Sequence, residues 1–392
     1  MKKSIKTRYL MIFSQIIVFI LIIFIFKACV LHLPKIDFNE NTLEYKIEEI
    51  RYKYDLPAIC AVVINNEAPP VFTSVGYRNT NDINNKVTIY DKWHIGSITK
   101  SITSTLIAKL IEINSNIKWT TTIIEVFQEM ENEINPAYKD VNFIDLLSHT
   151  SGIIGDISKV NGWNNYWTDT TPIVEQRYKI TKDILKFSPE VQKGTYLYSN
   201  AGYVVAGAMI ERLMNKSWED LVNQYIFIPL NMINTGFGAP KPKDKQPWGH
   251  EQNIKCYIFK PVDPDNIYSD NPRVLGPAGT IHTTMHDILK FANIHLDGLK
   301  GNYNFLSEEQ YQKLYHVIAD SYALGWLVSG SSIYHYGCNL KWFAAIYIYY
   351  DNSKNISNII FSAFNAAYAD LKKNYDIMDE VMNTIWSFDF TQ

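Results

Sequence analysis

The spacing of apolar residues in this 392-residue chain changes twice along its length. Residues alternate with a period of two near the start and again after about 320, whereas apolar residues three or four apart dominate between them. Strand patterns at both ends, separated by a long helical region, favour one antiparallel sheet assembled from both ends of the chain. The pattern predicts an α+β fold, an α/β sandwich, with sheet segments at about 55–80 and 320–365 and a helical insert at about 97–299.

The same spacing predicts the individual elements. The predicted strands are 57–64, 71–77, 322–328, 332–336, 342–349 and 356–364. The predicted helices are 41–54, 97–113, 143–147, 182–187, 201–214, 217–226, 285–296 and about 366–388. We therefore expect 42–388 to form one unit with two lobes, a sheet and its helical insert.

Residues 1–31 form a separate segment. Four cations among the first eight residues precede 10–26, an uncharged run rich in Ile, Leu, Phe and Val. As a helix this run would rise about 26 Å, close to the ~30 Å of a bilayer core. We expect a membrane anchor followed by a tether at 32–41, with the later residues extracytoplasmic, in the periplasm or at the cell surface. A cleaved signal peptide and lipidation of Cys29 remain the alternatives.

Charge and cysteine content exclude several functions. Lys and Arg number 37 and Asp and Glu number 40, so the net charge is −3 and no basic excess is available for a phosphate backbone. We expect no nucleic-acid partner. The four cysteines form neither a disulfide framework nor the spacing of a zinc site. Beyond the anchor, Cys60, Cys256 and Cys338 are predicted to be free thiols or to form at most one bridge.

Three short motifs could carry chemistry, and the first is the Ser-x-x-Lys of Ser97 and Lys100. Ser97 opens an amphipathic helix, so the two side chains lie one turn apart on the same face. The backbone N–H of Ser97 is then unpaired within the helix and available to an oxyanion. A second copy at 115–118 lies in an Asn-Ser-Asn turn instead. The alternative for Ser97 is an ordinary N-cap serine.

The other two motifs are a Tyr-x-Asn, formed by Tyr198 and Asn200, and a His-x-Gly, formed by His335 and Gly337. The first lies on a loop that leads into a helix. The second lies on a predicted strand, directly before Cys338. Other copies of both patterns occur in the chain. A packing tyrosine and an isolated histidine are therefore the alternatives for these residues.

In order and context, the three motifs resemble those of the serine β-lactamase and penicillin-binding protein superfamily, nearest to its class C β-lactamase and esterase group. The segments 145–152 (DLLSHTSG), 198–237, 277–279 and 324–326 are also similar to that group. The resemblance covers about 42–388. It implies a β-lactamase/transpeptidase-like fold, a serine hydrolase activity, and no metal or organic cofactor.

The resemblance also implies a role for each motif residue. Ser97 would be the acylated nucleophile and Lys100 the adjacent base or proton relay, provided that burial or a nearby cation lowers the pKa of the lysine. Tyr198 would share the proton transfers. Asn200 would hold Lys100 and the amide or ester group of the substrate. The backbone N–H groups of Ser97 and Cys338 would form the oxyanion hole.

The third motif departs from the β-lactamase pattern, which usually has Lys where this chain has His335. A lysine supplies a fixed cation for a substrate carboxylate, whereas a histidine of ordinary pKa is largely neutral at pH 7. Tyr336 also replaces the small hydroxyl residue that would contact that carboxylate. We therefore expect an ester or small amide as the substrate. The alternatives are a D-alanyl-D-alanine carboxypeptidase acting on a peptidoglycan-like substrate, a weak class C β-lactamase, and a catalytically silent binding protein.

Overall fold

The computed structural model of the protein describes residues 42–66, 68–253 and 258–390. The predicted membrane helix at 10–26, the tether at 32–41 and Cys256 lie outside these residues. Within them, the structure contains no helix that combines the length and the apolar character needed to span a membrane. The elements described below all belong to one unit, which begins at Leu43.

The strands define a large sheet and two small ones. In chain order they are β1 (Ala58–Asn65), β2 (Val71–Asn79), β3 (Asp82–Lys86), β4 (Lys92–His94), β5 (Gly236–Phe237), β6 (Gly249–Asn253), β7 (Ile258–Val262), β8 (Ile281–Thr284), β9 (Leu327–Ser329), β10 (Ser332–Cys338), β11 (Phe343–Asp351), β12 (Ile356–Phe364) and β13 (Ala366–Ala367). The large sheet has the order β3-β2-β1-β12-β11-β10-β9. Its central pair, β1 and β12, is antiparallel, with Val62 opposite Phe361. The predicted antiparallel sheet from both chain ends is confirmed.

The α-helices connect and cover these strands. In chain order they are α1 (Leu43–Lys53), α2 (Thr99–Ile113), α3 (Ile123–Val126), α4 (Phe143–Leu147), α5 (Ile173–Ile184), α6 (Asn200–Met214), α7 (Trp218–Val222), α8 (Gly276–Gly279), α9 (Met285–Leu299), α10 (Glu308–Tyr315) and α11 (Leu371–Trp386). Helices α2 to α9 lie between residues 99 and 299, within the predicted helical insert, whereas α10 lies beyond its predicted end and was not predicted.

Helices cover both faces of the large sheet, which explains why β1 is apolar throughout. Cys60 and Val62 pack into a core shared with the inserted helices. Their neighbours Ile59, Ala61 and Val63 point to the other face and pack against α1 and α11. Alternate side chains of one strand therefore belong to different cores. The predicted α/β sandwich is confirmed by this layering.

Two predicted elements are shorter or longer than expected. The strand expected at 322–328 is reduced to β9, because Gly325 has φ +78°, which interrupts an extended strand. The helix expected at 182–187 is the last part of α5, which already begins at Ile173. The earlier turns of α5 escaped prediction because Gln176 and Arg177 are polar and yet buried, which obscures the apolar spacing.

The last helix begins later than predicted. Ala366 and Ala367, which were expected to be helical, pair with β6 as the parallel strand β13. Helix α11 begins only after Asp370, whose side chain accepts the backbone N–H of Lys372 and caps the helix. Tertiary pairing therefore overrides the high helix propensity of the two alanines.

A small sheet that was not predicted, β4-β8-β5, supports the first motif. His94 of β4 lies opposite His282 of β8, and the next N–H, that of Ile95, donates to the carbonyl of Ile281 over 2.9 Å. These strands are too short to show a clear alternation in sequence. Their pairing holds the chain directly before Ser97.

Candidate active site

Ser97 lies in a single 3₁₀ turn, Gly96–Ile98, between β4 and α2. Gly96 has φ +48°, a left-handed conformation that favours glycine, and so allows the sharp change of direction from strand to helix. Ser97 is partly exposed, whereas both of its neighbours in the turn are buried. The turn therefore presents one side chain, a hydroxyl, at the surface of a buried helix start.

Lys100 is completely buried one helical turn later. Its Nζ donates to the Ser97 Oγ at 3.0 Å, to the Asn200 Oδ1 at 2.7 Å and to the carbonyl of Ala278 at 2.7 Å. None of these partners is a carboxylate, and burial lowers the pKa of Lys100 well below its ordinary value of 10.5. The structure thus brings together three predicted residues and adds a carbonyl from the segment 277–279, for which the sequence predicted no role.

Tyr198 reaches the same place from the loop before α6. Its hydroxyl hydrogen-bonds Ser97, which lowers the pKa of the phenol, but desolvation has the larger effect and raises that pKa well above 10. The Lys100 Nζ lies 4.9 Å from the centre of the Tyr198 ring. Tyr198 is therefore a phenol that contacts both Ser97 and Lys100, and it remains protonated in the neutral range.

Strand β10 lies against the Ser97 turn, and two glycines make this approach possible. A Cβ on Gly337 would lie 1.9 Å from the carbonyl oxygen of Ile95 and 2.9 Å from the Ser97 nitrogen. A Cβ on Gly96 would lie 2.4 Å from the Cys338 nitrogen. Any side chain at either position would push the strand and the turn apart. Gly337 therefore acts through its lack of a side chain.

The backbone N–H of Cys338 points away from the neighbouring strand β11. Residues of β10 pair with β11 in alternating hydrogen-bonded and non-hydrogen-bonded positions. The N–H of Asn339 donates to the Trp342 carbonyl, so the preceding pair, Cys338 opposite Phe343, is a non-hydrogen-bonded pair. Pairing with β9 ends at Tyr334. The N–H of Cys338 therefore faces the open edge of the sheet, where the Ser97 turn lies.

His335 is buried and neutral. Its Nδ1 lies 2.6 Å from the carbonyl oxygen of Tyr336, which can only accept, so Nδ1 carries the proton. Its Nε2 therefore accepts from the Tyr322 hydroxyl at 2.8 Å. Burial, with a smaller effect of the Lys100 charge, lowers the pKa of His335 to about 3. The structure places His335 near Lys100 but does not make it a fixed cation.

Tyr336 does not occupy the place that the sequence comparison suggested. Neighbouring residues of a strand face opposite sides, and Tyr336 lies on the α11 side of β10. Its hydroxyl donates to Asp379 over 2.7 Å, and its ring packs against Phe343 and Tyr375. The hydroxyl of Tyr336 therefore contacts the last helix and does not take the place of the small hydroxyl that this position lacks.

Aromatic residues that sequence reasoning missed surround these groups. The ring of His149 lies 4.3 Å from that of Tyr198, 5.3 Å from that of Tyr203 and 4.7 Å from that of Tyr322, measured between ring centres. Tyr196 completes the cluster, 5.9 Å from Tyr322. His149 and Tyr203 fall in the segments 145–152 and 198–237 that resemble the family, but no role was predicted for them, and the surplus of tyrosine, 26 residues, does not say where the rings lie.

The arrangement provides a nucleophile, a base and hydrogen-bond donors without a metal. Among residues 42–66, 68–253 and 258–390, no group of three or more His, Cys, Asp or Glu side chains could hold a metal ion. Cys60 and Cys338 are both free thiols. A hydroxyl within hydrogen-bond distance of a lysine of lowered pKa can be deprotonated and attack a carbonyl carbon.

Comparisons with known proteins agree with this geometry. A family model described as Beta-lactamase matches residues 43–382. Penicillin-binding protein 4 of Amycolatopsis lactamdurans is 23% identical over 261 residues, which are 66% of this chain and 65% of that protein. Unguisins hydrolase ungD of Aspergillus violaceofuscus is 25% identical over 268 residues, 65% of this chain and 44% of that protein. The chain thus spans less than two thirds of the length of either relative.

Solved structures share the fold. D-amino acid amidase from Ochrobactrum anthropi SV3, complexed with L-phenylalanine amide, superposes with a TM-score of 0.67. The two sequences are 19% identical, and the superposition covers 88% of this chain and 98% of the amidase. The likeness therefore extends over nearly the whole of the described chain.

Proposed function

Because the chain belongs to the beta-lactamase family, we propose that it is a serine hydrolase which forms an acyl-enzyme on Ser97 and hydrolyses an ester or a small amide. One observation carries the proposal. The Ser97 Oγ lies 3.0 Å from the Nζ of Lys100, a fully buried lysine whose pKa is lowered well below 10.5. An amine of lowered pKa at hydrogen-bond distance can take the proton that a serine hydroxyl loses when it becomes a nucleophile.

Lys100 is the better base and Tyr198 the better acid. The pKa of Lys100 is lowered, so more of this lysine is deprotonated at neutral pH than of an ordinary lysine, whereas the raised pKa of Tyr198 keeps the phenol protonated. As the Ser97 Oγ bonds to the carbonyl carbon, its proton passes to Lys100. Tyr198 then gives a proton to the departing amine or alcohol and regains one from Lys100. Lys100 next takes a proton from the water that attacks the acyl carbon. The bond between that carbon and the Ser97 Oγ breaks, and the proton passes from Lys100 to Oγ as the carboxylic acid leaves.

The oxyanion of the tetrahedral intermediate needs donors close to Ser97. The N–H of Ser97 makes no backbone hydrogen bond within its own turn. The N–H of Cys338 points from the edge of β10 toward that turn. We assign both as the oxyanion hole. Asn200 holds the Lys100 Nζ through its Oδ1, which leaves its amide N–H groups for the substrate carbonyl or amide. Each role uses a residue that the motifs already indicated.

The neutrality of His335 favours substrates without a carboxylate beside the scissile bond. Penicillins and D-alanyl termini carry such a carboxylate, and His335 supplies no charge to it, because its pKa is about 3 and both ring nitrogens are hydrogen-bonded within the protein. Among the similar proteins, one is named a D-amino acid amidase and another an unguisins hydrolase. These names support an amide or ester substrate. The D-alanyl-D-alanine carboxypeptidase, the weak class C β-lactamase and the catalytically silent binding protein are the alternatives, ranked below an ester or amide hydrolase.

Covalent labelling tests the proposal. We expect a fluorescent fluorophosphonate to label the chain and a fluorescent penicillin to label it poorly or not at all. Ser97→Ala should abolish labelling, because the nucleophile is lost, whereas Ser115→Ala, in the exposed second copy of the motif, should leave it unchanged. Strong penicillin labelling at Ser97 would favour the carboxypeptidase alternative. A folded protein that reacts with neither probe would contradict the hydrolase.

The location of the catalytic unit is a separate part of the proposal. The apolar run at 10–26, behind four cations, supports a membrane anchor with the catalytic unit on the extracytoplasmic side. Protease added to intact cells or spheroplasts should therefore digest the region after Lys27. Full protection of that region, with digestion only after the membrane is opened, would contradict the orientation.

A further inference from the structure

His149, a buried histidine without an assigned role, contacts three consecutive residues around Tyr198. Its backbone carbonyl accepts the N–H of Leu197 at 2.8 Å. Its Nδ1 accepts the N–H of Ser199 at 3.0 Å. Its ring lies on the Tyr198 ring, with 4.3 Å between the centres. One residue therefore holds the chain on both sides of the proposed proton donor and also packs against its ring.

The backbone of His149 has a conformation that is uncommon for residues other than glycine. It follows the end of α4 with φ +63°, and the next N–H, that of Thr150, donates to the carbonyl of Asp145 and closes the helix end. Glycine, or sometimes asparagine, usually occupies this left-handed position because a Cβ is disfavoured there. A histidine in this conformation therefore lowers the stability of the fold relative to glycine.

The side chain of His149 carries a second cost. Because Nδ1 accepts a hydrogen bond, the neutral ring has its proton on Nε2. Nε2 is buried and has no hydrogen-bond partner among the described residues. A buried donor without a partner destabilises a folded protein. A strained backbone and an unsatisfied donor in one residue, directly beside a site, indicate that the residue is kept for function rather than for stability.

We propose that His149 is a positioning residue for acylation of Ser97, an inference that rests on the proposed hydrolase. The Ser199 peptide that it holds joins the two residues that complete the site. On one side, the Tyr198 hydroxyl hydrogen-bonds Ser97. On the other side, the Asn200 Oδ1 accepts from the Lys100 Nζ at 2.7 Å. A shift of this peptide would move the proton donor and the lysine partner together.

Two variants of His149 separate its contacts. His149→Asn keeps an acceptor, Oδ1, close to the place of Nδ1, and asparagine tolerates a positive φ, but the ring on Tyr198 is lost. His149→Ala loses the acceptor and the ring. His250→Asn is the matched control, since His250 is also buried, accepts the N–H of Thr80 and lies outside the proposed machinery.

The readouts are the maximal rate of fluorophosphonate labelling, the half-saturating probe concentration and the thermal midpoint of the full chain. We expect His149→Ala to lower the maximal rate by about tenfold or more, with little change in the half-saturating concentration, because the catalytic groups are misplaced. His149→Asn should recover part of that loss. His250→Asn should lower the midpoint and leave the rate unchanged.

The outcomes distinguish this role from a structural one. Labelling of folded His149→Ala at the wild-type rate would overturn the positioning role while leaving Ser97 as the nucleophile. If His250→Asn loses as much rate as His149→Ala, the loss reflects reduced stability, and the positioning role is overturned. If His149→Ala does not fold, His149→Asn decides the question. A folded His149→Asn that is labelled more slowly than the wild type supports the positioning role, and labelling at the wild-type rate contradicts it. A wild-type chain without any labelling would contradict the hydrolase itself.

Discussion

At the scale of single residues, burial decides the chemistry of the motif side chains. Lys100 and His335 are both basic in water, and both are buried here. Burial lowers the pKa of each, because the charged form loses its hydration. For the lysine this creates a base that is able to take a proton, and for the histidine it removes a cation. The same physical cause therefore supports a nucleophilic serine and disfavours an anionic substrate.

The pKa of Lys100 predicts how acylation depends on pH. The rate should rise with pH as the ammonium loses its proton, and it should level off well below pH 10.5 because the pKa is lowered. Lys100→Gln should remove this rise and slow fluorophosphonate labelling by about 10²–10⁴-fold, since no base remains. Lys118→Gln, in the exposed second copy of the motif, is the matched control. A Lys100→Gln profile identical to that of the wild type would show that another group takes the proton.

At the scale of elements, the site depends on how closely β10 approaches the turn between β4 and α2. The strand supplies the N–H of Cys338 and the turn supplies Ser97, and glycines at Gly96 and Gly337 let the two backbones come together. The small sheet β4-β8-β5 holds the turn from the other side. Segments near residues 95, 282 and 337, which are far apart in the chain, thus determine one oxyanion hole.

Gly337→Ala tests this approach. The added Cβ would lie 1.9 Å from the Ile95 carbonyl oxygen, so the strand must move and the N–H of Cys338 moves with it. We expect labelling of Ser97 to fall by about 10²–10³-fold, the usual effect of losing one oxyanion donor. Gly330→Ala, in the turn between β9 and β10, meets no atom within 4 Å; its φ of +55° disfavours alanine and should lower stability, but labelling should be retained. Circular dichroism checks that both variants fold, and an active Gly337→Ala would contradict the assigned hole.

At the scale of the whole molecule, several histidines are buried without charge. Burial lowers the pKa of His250 and His282 to about 4 and that of His295 and His335 to about 3. An unfolded histidine has a pKa near 6.5, so below this pH the unfolded chain binds protons that the folded chain excludes. Stability from this source is complete above pH 6.5 and is lost as the pH falls toward about 4.

We therefore expect the free energy of unfolding to decrease as the pH is lowered from 6.5 to 4. Each of the four histidines contributes about 1.4 kcal/mol per pH unit once its unfolded form is protonated. Burial also lowers the pKa of His149 well below 6.5, which adds to this fall, whereas Glu211, whose pKa burial raises to about 7, acts in the opposite sense. Urea unfolding at pH 7, 6 and 5 measures the slope. His295→Asn should make the slope shallower by about one histidine, and a stability independent of pH would contradict the prediction.

Much of the fold could be predicted from the sequence because its signals are local. Alternating and helical apolar spacings follow from the geometry of one element and its immediate surroundings, so β1, β10, β11, β12 and α2 appeared close to their observed bounds. The short strands β4, β5 and β8 lacked enough residues to show a period. The start of α11 was misplaced because Ala366 and Ala367 pair with a strand more than 100 residues away.

The sequence by itself determined which residues could act, namely Ser97 and the other motif members, and it placed Ser97 and Lys100 one helical turn apart. Tertiary structure alone decided their chemical state and neighbours. The exposed second Ser-x-x-Lys matches the same pattern as the buried one, and only the environment separates them. Burial of Lys100, neutrality of His335 and the contacts of His149 arise from segments distant in the chain. A pKa depends on solvent and charge in three dimensions, which no local pattern records.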